Sequence, residues 1–107
     1  MSSASVSIRK AVASDEPRIR ACAEDAYRRY VAAIGRKPAP MVADFAAQIE
    51  AGAIRVALDS QGAIQGFVVF HAHADHVLLE NVAVFPAHAG RGIGKALIEA
   101  CEQAARR

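Results

Sequence analysis

The chain has 107 residues, the size of one domain, and 53% of them are hydrophobic, which is enough apolar surface to fill a single packed core. Thirteen Lys or Arg stand against 11 Asp or Glu, a formal net charge of +2 spread along the whole chain, and that balance lacks the basic footprint of a nucleic-acid-binding protein. No apolar run approaches the roughly 20 residues that span a bilayer, and MSSASVSIRK lacks the apolar stretch of a signal peptide, so residues 1–107 are expected to form one soluble domain in the cytoplasm, with no membrane partner.

Val6 and Ile8 alternate with Ser5, Ser7 and Arg9, which predicts a short first strand with one buried face. Ser14 is placed to cap a helix whose first turn carries Asp15, Glu16 and Pro17, residues suited to the positive end of a helix dipole. Ile19, Cys22, Ala23, Ala26, Tyr27, Tyr30 and Ile34 then recur at helical steps and make one apolar face. Gly35 and Pro38-Ala39-Pro40 end that helix. A second helix is predicted from Met41, Phe45 and Ile49, stopping at Gly52.

The period then changes to two. Ile54, Val56 and Leu58 alternate with Arg55, Ala57 and Asp59, and Asp59-Ser60-Gln61-Gly62 has Asp and Gly where a type I turn favours them. A third strand is expected over about Ile64 to His73, a second turn at Ala74 and Asp75, and a fourth strand over Val77 to Phe85. The fourth is apolar on both faces apart from Glu80 and Asn81, the pattern of a central strand covered on each side. Ile93, Leu97, Ala100, Cys101 and Ala104 mark the buried stripe of a closing helix that runs to Arg107. The order is β-α-α-β-β-β-α, an α/β (α+β) fold. Both cysteines, Cys22 and Cys101, fall on apolar helix faces without a CxxC partner, so they are expected to be buried, reduced and structural.

Chemistry is concentrated between Val82 and Lys95. Gly90, Gly92 and Gly94 stand at alternate positions between a strand end and a helix start, where the absence of Cβ lets the backbone approach a bulky anion. The first turn of the following helix presents N–H groups at the positive end of its dipole, and Arg91 and Lys95 add charge. A phosphate or pyrophosphate cradle is the expectation. The bland alternative, a tight strand-to-helix connection, needs only one glycine. A dinucleotide GxGxxG beginning at Gly90 would need Gly where Lys95 stands, and a P-loop would need Ser or Thr where Ala96 stands.

The segment Val82-Ala83-Val84, then Pro86, then Ala89-Gly90-Arg91-Gly92-Ile93-Gly94 resembles the signature of the GNAT superfamily of acyl-CoA-dependent N-acyltransferases. In that family a V-A-V strand is followed by proline and by a [RQ]-x-x-G-x-[GA] loop that opens the third helix. The resemblance covers nearly the whole chain in element order. It implies a GNAT-like mixed sheet and acetyl-CoA as cosubstrate, with a primary amine as acceptor. The backbone of Val82 and Val84 would pair with the pantetheine arm, and the amides from Gly90 to Gly94, with Lys95, would hold the pyrophosphate. Ala89 departs from the usual Arg or Gln, leaving one wrapping side chain fewer; His88 and Arg91 stand close in sequence.

Transfer of this kind needs a base for the amine and an acid for the leaving thiolate. Glu80, the only carboxylate on the fourth strand, is the candidate base, two residues before Val82 and therefore expected on the same face; a structural carboxylate is the equal alternative. The family's acid is usually a tyrosine on a later helix, and no such helix is read here. Relative to the family pattern the usual C-terminal strand-helix-strand portion is not found before Arg107. The fourth strand is then expected to carry an apolar edge that a second copy or a partner chain covers. Two functions follow: an N-acetyltransferase, or a non-catalytic CoA-binding or dimerisation module.

His71, His73 and His76 with Asp75 form an HxHxDH cluster in which two ligands would share a strand face, but a polar, solvated hairpin tip accounts for it and no metal is assigned. Tyr27, Tyr30 and the loop from Gly35 to Met41 correspond to the region that borders the acceptor in the family. On an apolar helical stripe the tyrosines read first as core.

Overall fold

The computed structural model describes residues 6–34, 44–85, 90 and 92–105. Four strands, β1 (Ser7–Lys10), β2 (Ile54–Leu58), β3 (Ile64–Ala72) and β4 (Val77–Val84), form one sheet in the order β1-β2-β3-β4. Every pairing is antiparallel, so a parallel pair that would make the sheet mixed is not reached within these four strands. Helices α1 (Glu16–Ile34) and α2 (Phe45–Glu50) precede β2, and α3 (Ile93–Ala105) follows β4, which is the expected order of elements.

Strand alternation distributes the core to two faces. On one, Ile19, Cys22 and Ala23 of α1 and Phe45 and Ile49 of α2 meet Ile54, Val56, Phe67, Val69 and Ala83 of the sheet. The rings of Phe45 and Phe67 pack edge to face, centroids 5.5 Å apart, and pin α2 to β3. On the other face, Ile93, Leu97 and Cys101 of α3 cover Ala57, Val68 and Phe70, with Val82 and Val84 at the margin. Both thiols are buried and free. Burial raises Cys22 to about 12 and Cys101 to about 11, so both stay protonated and behave as small hydrophobes.

Three expectations are corrected. Ser14 does not cap α1. The chain enters through a 3-10 turn over Ala13–Asp15, and the buried Asp15 does the capping work, its Oδ2 accepting from the Val12 N–H at 2.8 Å and from Arg9 Nη1 at 2.7 Å. Nη2 of Arg9 donates to Oδ1 at 3.1 Å, completing a bidentate pair that ties the helix start to β1. Second, the strand covered on both faces is β3, buried from Ile64 to Phe70, whereas β4 stands at the sheet edge with Leu78 53% and Leu79 41% exposed. Leu78, Leu79 and Glu80 are exposed where β4 nears the hairpin, whereas Asn81 to Val84 are buried or half-buried. Third, α2 begins at Phe45 with Asp44 Oδ1 accepting from the Ala47 N–H at 3.1 Å; Met41 lies outside the described residues, as do Gly35 and the Pro38–Pro40 segment.

Both turns form where expected. Gly62 N–H donates to the Asp59 carbonyl at 3.0 Å while Asp59 Oδ1 accepts from the N–H groups of Gln61 and Ala63. His73 N–H donates to the His76 carbonyl at 2.8 Å and closes the β3–β4 hairpin around Ala74 and Asp75.

Candidate functional site

The site is built on β4, the turn after it and the start of α3. Phe85 N–H donates to the Gln65 carbonyl at 3.0 Å, which fixes the phase of the β3–β4 ladder. Backbone groups alternate along an antiparallel strand, so Ala83 and Phe85 turn their peptides toward β3. Val82 and Val84, opposite Val68 and Gly66, therefore direct theirs toward the outer edge. The pair named for pantetheine contact thus shares one orientation, and Ala83 between them is buried against α1 and α2.

Of the glycine turn, Gly90 and Gly92 are described, with φ of 85° and 78°. Both sit in the left-handed region where a Cβ is strained, and a Cβ built at either meets nothing within 4 Å, so backbone conformation rather than crowding calls for glycine there. Ala96 N–H donates to the Gly92 carbonyl at 3.0 Å, the first bond of α3. The N–H groups of Ile93, Gly94 and Lys95 precede that bond and face out of the helix N-terminus. Ile93 is buried under the sheet and anchors the helix start, a Cβ built at Gly94 would lie 4.0 Å from Val84 Cγ2, and Lys95 is exposed. The helix N-terminus is thereby set beside the last edge-directed peptide of β4. Ala89 and Arg91, with Pro86 and His88, lie outside the described residues.

Glu80 is not on the face of Val82. The register shifts between Val69 and Phe70, whose partners are Asn81 and Leu79, so Glu80 is the extra residue of a β-bulge. The bulge turns it to the α1–α2 face, opposite α3. There Glu80 Oε1 contacts His71 Nε2 at 2.8 Å and Oε2 accepts from Gln48 Nε2 at 2.7 Å. Neither partner was named as such from the sequence. His71 carried only its place in the histidine cluster, and Gln48 lies 32 residues from Glu80 with no local signal. Arg18 of α1, whose guanidinium lies 4.1 Å from the ring centroid of Phe85, is a further cation at the end of β4 that pattern reading passed over.

The rings of His73 and His76 stack at 4.6 Å, and His76 Nδ1 contacts Asp75 Oδ1 at 2.6 Å. Among the described residues no group of three or more His, Cys, Asp or Glu is arranged to hold a metal ion, and no helix is long and apolar enough to cross a membrane. Tyr27 and Tyr30 fall within α1, but their side chains lie outside the described residues, as does the Gly35–Met41 loop.

Comparison with known proteins bears on this arrangement directly. Among proteins of curated function none matches the chain significantly in sequence. Solved structures do match its fold. The PaiA N-acetyltransferase of Thermoplasma acidophilum, in complex with coenzyme A, is 17% identical with a TM-score of 0.78, over 95% of this chain and 72% of that one. A GNAT-family acetyltransferase of Listeria monocytogenes is 18% identical with a TM-score of 0.74, over 94% and 70% of the two chains. A protein of Corynebacterium glutamicum described as a histone acetyltransferase and related acetyltransferase is 25% identical with a TM-score of 0.69, over 94% and 72%. The family model described as Acetyltransferase (GNAT) family matches residues 17–107, from the start of α1 through the glycine turn and α3. An edge-directed strand, a left-handed glycine turn and a helix N-terminus, within a match of that extent, establish that the chain belongs to the GNAT acetyltransferase family.

Proposed function

We propose that this chain binds acetyl-CoA along β4 and transfers its acetyl group to a primary amine. One observation carries the reading: the edge-directed peptides of Val82 and Val84 run straight into the glycine turn and the N-terminus of α3. The pantetheine amides then pair with β4 as a further strand would, and the pyrophosphate meets the amides from Gly90 to Gly94 with Lys95 beside it. The coenzyme A held by the Thermoplasma relative supports the same ligand class here.

In the transfer the lone pair of the neutral amine forms the new C–N bond at the thioester carbonyl. Collapse of the tetrahedral intermediate breaks the C–S bond, and the electron pair leaves with sulfur, which takes a proton from water to become the free thiol of coenzyme A. Glu80, 44% exposed on the α1–α2 face, accepts the proton released by the amine, directly or through water. Its position on the bulge places the base on the opposite face from α3.

A second reading, in which the chain binds CoA or associates without turnover, is favoured by exposed Leu78 and Leu79 on an edge strand, a surface suited to a second copy or a partner chain. Three measurements decide. Acetyl-CoA at 100 times its Kd stabilises a binding protein by roughly 2.7 kcal/mol, so a thermal shift is expected, and no shift at millimolar ligand overturns acetyl transfer and CoA binding alike, leaving association alone. Thioester consumption with a panel of amines then separates enzyme from binder, and size exclusion reports whether β4 is covered by a partner.

A further inference from the structure

Glu80 is held at both oxygens, by a strand on one side and by a helix on the other. His71 belongs to β3 and Gln48 to α2, so the two contacts, at 2.8 and 2.7 Å, clamp the carboxylate between separate elements. An ionised carboxylate only accepts, so the proton in the first contact sits on His71 Nε2. In the second, Gln48 turns its Nε2 to Glu80 while its Oε1 is buried without a hydrogen-bond partner among the described residues. Reversing the amide would set two oxygens against each other, so the orientation is dictated by Glu80. The bulge is what makes this possible, since in an unbulged register the residue two before Val82 would face α3 and meet neither partner.

His71 and Glu80 are 43% and 44% exposed at the side chain. Water competes for a pair in that setting, and it adds little to stability. What two donors from two elements do supply is orientation, because a free glutamate samples several rotamers and a base must meet its proton in a narrow geometry. We propose that His71 and Gln48 are positioning residues that fix the Glu80 carboxylate for proton abstraction from the acceptor amine. This rests on the catalytic reading of Glu80 above.

The test compares the whole chain and its variants in thioester consumption with acetyl-CoA and an amine acceptor. Glu80→Gln is expected to lower kcat by about 100-fold or more, the range of a lost general base. His71→Leu lowers kcat by about 10-fold while leaving the KM for acetyl-CoA and the melting midpoint near their original values, and Gln48→Leu acts in the same direction. His71→Gln, which keeps a side-chain N–H, restores most of the loss. In the Glu80→Gln background His71→Leu costs nothing further, as two residues acting through one group require. Wild-type turnover in His71→Leu, or an undiminished effect in the Glu80→Gln background, overturns the proposal. Side-chain nitrogen resonances give a readout without turnover: His71 is expected to carry its proton on Nε2 and to shift in Glu80→Gln, and the absence of any response also overturns it. Wild-type turnover in Glu80→Gln is a different failure, which removes the catalytic reading itself and this inference with it.

Discussion

The N–H of Phe85 donates to the carbonyl of Gln65 at 3.0 Å, and through that bond the first residue beyond β4 sets which peptides of the strand face β3 and which face outward. Proline substitution reads that phase. At Val84 the N–H is directed to the edge, so Val84→Pro removes no ladder bond, whereas Ala83→Pro removes one from the interior. Ala83→Pro is expected to be about 2 kcal/mol the more destabilising in chemical denaturation, and equal losses would show that the phase is wrong. For acetyl-CoA, Val84→Pro deletes one donor worth roughly 1 kcal/mol, a several-fold rise in Kd by calorimetry.

Gly92 has φ of 78° and open space around its Cα. Gly92→Asp therefore leaves the fold intact, at a conformational cost of about 1 kcal/mol, while setting a negative charge where a pyrophosphate is expected. Loss of the acetyl-CoA thermal shift, with near-native circular dichroism, is the expected outcome. Retained binding would show that the turn is not the phosphate site.

The Arg9–Asp15 pair joins β1 to the start of α1. The hydrogen bond from the Arg9 guanidinium, against the opposing effect of burial and with help from the Val12 N–H, holds the Asp15 carboxyl below the usual carboxylate range. A carboxyl depressed on folding contributes stability that is present above its unfolded value and is lost as pH falls through its folded value. Asp15→Asn is expected to cost about 2 kcal/mol at neutral pH and to flatten the acid limb of the stability profile below about pH 4. An unchanged acid limb would remove Asp15 from that account.

Cys22 and Cys101 are buried thiols raised to about 12 and about 11, so neither offers thiolate at neutral pH. A thiol-specific chromogenic reagent is expected to label neither in the native protein and both in denaturant. Rapid native labelling of either would place it outside the core. Turnover is expected to persist in Cys22→Ala and Cys101→Ala wherever the fold does, since both thiols are packed in the apolar core and neither is among the contacts of Glu80.

Much of this architecture follows from the amino-acid sequence taken locally. Ile54, Val56 and Leu58 alternate and form β2; Ile19, Cys22 and Ala23 recur helically and bury on α1; Asp59 and Gly62 close their turn; and the alternate glycines mark a strand-to-helix connection with left-handed positions. Each depends on neighbours within one or two turns, and a periodic pattern records them. The place of Glu80 was decided otherwise. Leu78-Leu79-Glu80-Asn81-Val82 reads the same whether or not a residue is inserted in the ladder, yet one bulge carries the carboxylate from the α3 face to the α2 face. Its meeting with Gln48 depends on α2 lying over that part of the sheet, and the burial of β3 rather than β4 depends on where the helices end. Periodicity fixes faces only relative to a register, and register is set by strand pairing across the sheet.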